Sequence, residues 1–465
     1  MKMEKEVTEG IYENSSNWNE ARRQTLEARM NHLPITHTMR HIFILIALGM
    51  MIDGYDVYLA GGVLGQLVQS GWSSLTLNAV FISSTFIGLF IGSVATGFVG
   101  DWKGRQFAYQ INLLIFGAAS LASFFAPNMA TLIVLRSICG IGLGAEIVTG
   151  FTLLGEFAPA PSRGKWVGSL SVLANCTAPI TTMLGLMIIP TIGWRWMFAI
   201  AGVLALTVWY FRRSLPESPR WLFSQGRFDE AEAIVAQFEA EAHTENKPLW
   251  IQTHTVKMEK SGIIMHQGHF RELFEKKLIR RTLLACIILA AINTAVYTFV
   301  TWVPTLLVKN GITVSHSLGF TTLMMVGAPI GAFVGRSTVD RIGRKWIIVG
   351  AFVMTGVLGI LYAFQHTPAM LMTIGFLMTV CLYILMAGGL SIYVPELFAT
   401  NLRMRGNGTA QAVGRLFTIL SPYAVAFLLT TQGTFAVFMM IGVFVAVAAA
   451  MTALLGPETK QQALR

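Results

Sequence analysis

Long apolar runs leave this chain very few ways to fold. The stretch TLLACIILAAINTAVYTFVTWVPTLLV, residues 282–308, contains no charged side chain, and similar runs recur from end to end. Hydrocarbon offers no partners to backbone N–H and C=O groups, so such a run crosses a bilayer as a helix that satisfies its own hydrogen bonds. About 20 residues suffice at roughly 1.5 Å each. That ruler predicts spans near 41–67, 75–100, 106–126, 129–153, 164–190 and 195–213, then 281–308, 317–339, 345–365, 368–393, 405–429 and 433–456. Composition agrees. Charged residues make up 12% of the chain, against roughly 25% in soluble proteins.

The twelve spans fall into two sets of six. A polar N-terminal segment, 1–40, shows no cleavable leader and runs directly into the first bundle, 41–213. A charged central loop, 214–280, carries the amphipathic helical pattern FDEAEAIVAQFEAEA. The second bundle is 281–456, with a short tail at 457–465. Lys103, Arg105, Arg163, Lys165, Arg341, Arg344, Lys345, Arg403 and Arg405 share one side with the central loop, against little more than Arg195 and Lys309 opposite. Positive charge marks the cytoplasmic side, so both termini and the loop are expected there, in a bacterial-type inner membrane. The net charge of +10 is spread over short loops rather than gathered on a soluble face, which argues against nucleic acid. Four cysteines lie in apolar segments without CxxC spacing, so neither a metal site nor a disulfide framework is expected.

The two halves echo each other. GFVGDWKGRQ (97–106) follows the second span and RSTVDRIGRK (336–345) the eighth, each with D-x-x-G-R. EFAPAPSR (156–163) follows the fourth span and ELFATNLR (396–403) the tenth. Such duplication in transporters places the substrate at the midplane between the halves. These motifs resemble those of the major facilitator superfamily over essentially the whole chain. RSICGIGLG (136–144) resembles the fourth-helix motif of its proton-coupled members; LPESPRWL (215–222) and PETK (457–460) resemble motifs of sugar porters and related organic-acid carriers. The resemblance implies an all-α membrane protein of twelve helices in two pseudo-symmetric six-helix bundles, working as a monomer with no cofactor other than the coupling proton. Asp101, Arg105, Glu156 and Arg163, with Asp340, Arg344, Glu396 and Arg403, are then expected to form a cytoplasmic gate whose ion pairs break as the halves rock; topology-setting charge is the simpler alternative. Arg336 stands where the first half has Gly97, a departure that weakens the match of the second gate.

Two branches compete. Sugar porters match in PESPR, GWRWMF (193–198) and PETK, yet Ile287 and Ile288 fall where their seventh helix carries a glutamine pair. Neutral sugars need amide partners to replace lost water. The aromatic-acid and nicotinate proton symporters match in the first-helix D-G-x-D (Asp53, Gly54, Asp56), in TWVPTLL (301–307), in VGRLFTILSP (413–422) and in Glu146, ten residues after Arg136.

Asp53 lies 12 residues into the first span, about 18 Å along its axis. Asp56, three residues on, shares its helical face. Intramembrane acids facing lipid are costly, so both should face the bundle interior, and Gly54 would admit a neighbour closely. Asp53, Asp56 and Glu146 are expected to take up the proton, with Arg136 either part of that chemistry or a structural partner. Arg415, inside the eleventh span, is the candidate clamp for a substrate carboxylate, with a structural partner for Asp53 or Asp56 as the alternative. Asn293, Tyr297 and Trp302 would supply a polar handle and aromatic walls. The expected function is proton-coupled uptake of a small organic acid, aromatic or heteroaromatic, rather than an enzymatic reaction. A sugar porter-like carrier or a proton-coupled exporter of drugs or metabolites is the alternative.

Overall fold

The computed structural model describes residues 26, 28–31, 33–159, 162–245, 270–275, 278–365, 367–398 and 402–459, and of residues 163–165, 270, 339–342 and 403–404 the backbone alone. The first half contains α1 (His37–Gln69), α2 (Leu75–Lys103), α3 (Arg105–Phe124), α4 (Met129–Phe157), α5 (Arg163–Ile188) and α6 (Arg195–Phe211). Two short linker helices follow, α7 (Pro219–Ser224) and α8 (Phe228–Thr244). The second half contains α9 (Ile279–Lys309), α10 (Val314–Met325), α11 (Gly327–Ile342), α12 (Arg344–Ala363), α13 (Pro368–Ile384), α14 (Arg403–Thr431) and α15 (Thr434–Leu455). Thr36, Ser74, Asn128 and Thr313 start their helices by accepting a hydrogen bond from the backbone N–H three residues on.

Eleven helical stretches among the described residues have the length and hydropathy of a membrane span, α10 and α11 forming one of them across a break at Val326. The remaining expected span, 195–213, forms α6, which has only 17 residues and runs into a 3-10 turn at Arg212–Ser214. That length sits at the short limit for crossing hydrocarbon. Beyond α13 the tenth span continues as a π-helix, Leu385–Tyr393, and ends at Val394–Glu396.

Each half is assembled by the same pairings. In the first, α1 packs on α5, α2 on α4 and α3 on α6; in the second, α9 packs on α14, α10–α11 on α13 and α12 on α15. The halves meet through α1 against α9, α2 against α14 and α5 against α10 and α11. Below this bundle, Ala231, Val235 and Phe238 of α8 share a buried cluster with Leu154 and Phe157 of α4 and with Leu26, Met30 and Leu33. Arg29 reinforces the joint by donating from Nε and Nη2 to Glu239 at 2.8 and 2.6 Å.

The α2–α4 contact shows what holds the first half together. Helices in lipid gain little from burying one apolar surface against another, so close backbone approach and dispersion carry the packing. Gly88 and Gly92 on α2, four residues apart, lie against the backbone of Ser137 and Ile141 on α4. Gly140 and Gly144 on α4 return the contact against Thr85 and Leu89. Gly142, between them, faces Asn112 and Phe116 of α3. The glycines of RSICGIGLG therefore serve two neighbours at once. A methyl group at Gly144 would collide with the carbonyl of Leu89, whereas Gly155 faces open space. Gly144→Ala is expected to destabilise the folded transmembrane half by about 1–3 kcal/mol, read as a lowered thermal midpoint in detergent. Gly155→Ala should leave that midpoint unchanged; equal behaviour of the two would show that the α2–α4 contact is not close-packed.

Candidate functional site

Among the described residues, five acidic and arginine side chains are sealed within the first half. Asp53 and Asp56 project from α1, and Arg136 and Glu146 from α4. Arg212 enters from the turn that ends α6 and is fully buried. Arg136 Nη1 and Nη2 donate to Asp56 Oδ1 and Oδ2 at 2.6 and 2.7 Å. Its guanidinium also lies 5.0 Å from the ring centre of Phe81 and 5.7 Å from that of Phe198. Arg212 makes a second fork, its Nη2 and Nη1 donating to Glu146 Oε1 and Oε2 at 2.5 and 3.0 Å. Nη2 also reaches the Leu45 carbonyl at 3.2 Å, and the guanidinium stacks 3.8 Å from the ring centre of Tyr109. A side chain at Gly49 would strike both Arg212 and Glu146, so its absence lets this pair press against α1.

Asp53 differs from its neighbours. It is 4% exposed, and neither carboxylate oxygen has a hydrogen-bond partner among the described residues. Glu146, Arg212 and Asp56 are the charged groups that act on it. Gly54 beside it admits α5, whose Thr177 hydroxyl and Ala174 carbonyl fill the space a side chain would need. The cluster thus holds three acids and two arginines, and it is neutral only when one acid carries a proton. Sequence reasoning placed Asp53, Asp56 and Glu146 together and left Arg136 open between two roles. It missed Arg212, which reads as one more basic residue at the end of a span. The signal was available: Arg212 is the first basic residue after an apolar run that is too short, leaving it within the membrane depth.

The second half contributes neutral donors and one cation. Asn293 on α9 is buried, with Nδ2 unpartnered among the described residues and lying against Gly414. Arg415, the next residue on α14, has an unpartnered buried Nη1. The hydroxyls of Thr294 and Thr298 also lack partners. Tyr297 packs edge-on to Phe86 across the junction of the halves, centroids 4.8 Å apart. Tyr58 and Tyr383 share a hydrogen bond of 2.5 Å across the same junction, and Ser83 Oγ donates to the Ile419 carbonyl at 2.7 Å. Tyr58 and Tyr383 were not singled out from the sequence. Trp302, expected as an aromatic wall, is wholly buried in the hydrophobic core.

The D-x-x-G-R charges form two matching constellations on the face that carries the linker helices. Arg105 pairs with Asp101 at 2.8 Å and Glu156 at 3.4 Å. Arg344 pairs with Glu396 at 3.1 Å. Glu217, from PESPR, accepts the N–H groups of Arg105 and Gln106 at 3.0 and 3.1 Å. Glu458, from PETK, accepts those of Arg344 and Lys345 at 2.9 and 3.2 Å. Each acid caps the helix that starts after a glycine of positive φ, Gly104 at 101° and Gly343 at 117°. The pairs Arg105–Glu156 and Arg344–Glu396 each join helices of one half rather than bridging the two. The side chains of Arg163, Asp340 and Arg403 lie outside the described residues. Arg336, the departure from the repeat, rests its guanidinium against Gly168 of the opposite half.

The family described as "Sugar (and other) transporter" matches residues 42–465. The chain belongs to that family. This transporter is 36% identical over 438 residues to the inner membrane metabolite transport protein YdjE of Escherichia coli, covering 94% of this chain and 97% of that one. It is 31% identical over 441 residues to the niacin transporter NiaP of Acinetobacter baylyi, covering 94% and 98%. Among solved structures it is similar to the partially occluded, inward-open xylose transporter XylE of E. coli, with a TM-score of 0.70 at 20% identity, covering 92% and 99% of the two chains. That likeness shows the major facilitator fold. The protein is a multi-pass membrane transporter and not an enzyme.

In this transporter the two aspartates of D-G-x-D carry different loads. Removing one partner of a buried, hydrogen-bonded ion pair strands the other charge at a cost of about 3–5 kcal/mol. Asp56→Asn is therefore expected to lower the thermal midpoint of the detergent-solubilised protein markedly, and Asp53→Asn to leave it unchanged or raised. Similar losses in both variants would contradict the unequal partnering of the two acids.

Proposed function

We propose that this transporter couples proton entry to uptake of a small monovalent organic acid, aromatic or heteroaromatic, of which nicotinate and benzoate are the simplest forms. The observation that carries the reading is Asp53, a buried acid near mid-span with no hydrogen-bond partner among the described residues, in a cluster that one proton makes neutral. Intramembrane ionisable groups of this kind mark ion pathways. Arg415 and Asn293, held by the other half with donors unspent, suit a carboxylate and a ring heteroatom. The niacin transporter among the relatives lends the same substrate class. Ile288, fully buried in place of an amide, speaks against a sugar.

The protein operates as a monomer in the cell inner membrane, with both termini and the linker helices in the cytoplasm, as the distribution of Lys and Arg directs. Substrate and proton enter from outside, the halves rock about the tyrosine pair Tyr58–Tyr383, and both cargoes leave at the linker face. No cofactor takes part beyond the coupling proton.

A one-proton site predicts electroneutral symport. Reconstituted protein should accumulate labelled nicotinate or benzoate about tenfold per unit of inward pH gradient, since one pH unit is worth about 1.4 kcal/mol per proton. A potassium diffusion potential imposed with valinomycin should neither drive nor retard uptake. Accumulation that follows the potential, or that hexoses rather than small acids inhibit, would displace this reading.

A further inference from the structure

Arg212 is held in a way that the Glu146 pair alone does not explain. Both carboxylate oxygens of Glu146 are occupied, yet the buried Nε of Arg212, like that of Arg136 in the other fork, has no partner among the described residues. Asp53, also buried, has both oxygens unpartnered. Arg212 and Glu146 lie against Gly49, four residues before Asp53 on α1, a separation of about 6 Å along the helix. The guanidinium that carries the orphan donor therefore lies against α1 one helical turn before the residue that carries the orphan acceptor, with no side chain at Gly49 between them. Burial of either without a hydrogen bond is costly, and the remedy for both is the same small displacement of one guanidinium.

We propose that Arg212 is shared between Glu146 and Asp53, and that the coupling proton passes from Asp53 to Glu146 as the guanidinium changes partner. The inference rests on the proton-coupled reading given above. Before the exchange Asp53 is a neutral acid and Glu146 is the carboxylate bound to Arg212. The O–H bond at Asp53 breaks and one forms at Glu146, directly or through an intervening water. Asp53 is then the carboxylate bound to Arg212, and Glu146 is the neutral acid. One arginine, one carboxylate and one carboxylic acid are present throughout, so the three groups stay neutral and no unpaired charge forms in the low-dielectric interior. Gly49 lies nearer than Asp53 to the start of α1, so the step carries the proton one turn toward the linker face, where Glu146 releases it to water. Of the other groups facing this triad, Asp56 is held by Arg136 and Thr177 of α5 donates to its own helix at Ala174. The Tyr109 ring covers the Arg212 guanidinium, and its buried hydroxyl has no hydrogen-bond partner among the described residues. Arg212 is thus a positioning residue, acting on the proton through the acid it leaves exposed.

Infrared difference spectroscopy on the purified protein, without substrate, tests the exchange through the C=O stretch of protonated carboxyl groups near neutral pH. In Glu146→Gln the guanidinium loses its first partner and should turn to Asp53, ionising it. The protonated-carboxyl band of the wild type should then disappear. In the double variant Glu146→Gln/Arg212→Gln the only guanidinium left in the cluster is that of Arg136, held by Asp56, so Asp53 should stay protonated and the band should return; a cooperative thermal transition in each variant shows that it folds. In proteoliposomes Glu146→Gln should lose the accumulation driven by the pH gradient. A band that persists in Glu146→Gln, or full accumulation by that variant, would overturn the partner exchange while leaving Asp53 as the proton site. A wild-type protein without the band would overturn the proton site and the exchange together.

Discussion

Two guanidinium–carboxylate forks inside the first half, Arg136–Asp56 and Arg212–Glu146, set the terms for the rest of the structure. A charge taken out of water at this depth costs several kcal/mol unless a partner meets it with good geometry. Both forks are bidentate, so the helices that supply their members are fixed in rotation as well as in distance. α1 is tied to α4 through Asp56, and the Arg212–Glu146 pair ties α4 to the end of α6 and to the α1 backbone at Leu45. The glycine contact between α2 and α4 then needs no polar bonds of its own. With α4 positioned by its charges, Gly140 and Gly144 need only allow the approach. The half is consequently stiff, which is what rocking as a unit requires.

Local chemistry at the linker face repeats because the same mechanical problem occurs twice. In each half a long helix must reverse into the next within one glycine, and the exposed N-terminus of the second helix presents unpaired N–H groups. Glu217 and Glu458 supply the acceptor from distant parts of the sequence, the one 112 residues from Arg105 and the other 114 from Arg344. The first arrives from the linker and the second from the C-terminal tail. PESPR and PETK are therefore the same device attached to different connections, and their shared Pro-Glu is a capping acid rather than a substrate ligand. The half-buried arginines stabilise these turns only modestly, since partly solvated pairs are worth little.

Much of the fold is legible in the sequence because lipid imposes a single rule on backbone and charge. Apolar runs such as 282–308 admit one conformation, and the D-x-x-G-R repeat announces the duplication. The short α6 was harder to read, since Arg212 and Arg213 look like a loop until the shortfall in length is noticed. At the site, α-helical spacing alone put Asp53 and Asp56 on one face. Spacing could not say which of the two would be paired, because that depends on where α4 crosses α1 and on a third helix ending nearby. Tyr58–Tyr383 was invisible for a similar reason. The two residues are 325 positions apart, and either phenol alone reads as one more aromatic in a greasy span. Trp302 lies in the hydrophobic core, and an indole in an apolar run carries no sign of which way it faces. Contacts between helices from opposite halves are encoded in no local pattern.

The charge arithmetic of the two halves gives a physical basis for obligatory coupling. On the proposed reading the first half is neutral with a proton and carries one negative charge without it. Among the described residues Arg415 lies near the middle of α14, whereas Arg336 lies in the part of α11 that leads to the linker face, so on this reading the centre of the second half is positive when empty and neutral with a bound anion. Empty, the pair of halves sums to zero; fully loaded, it again sums to zero. With only the proton or only the anion, one net charge is left at the middle of the membrane. Reorientation passes through an occluded state that excludes water, where such a charge is least tolerable. A penalty of about 3 kcal/mol for a partly loaded carrier suppresses its crossing roughly a hundredfold. Coupling then needs no separate latch, because neutrality itself selects which forms can turn.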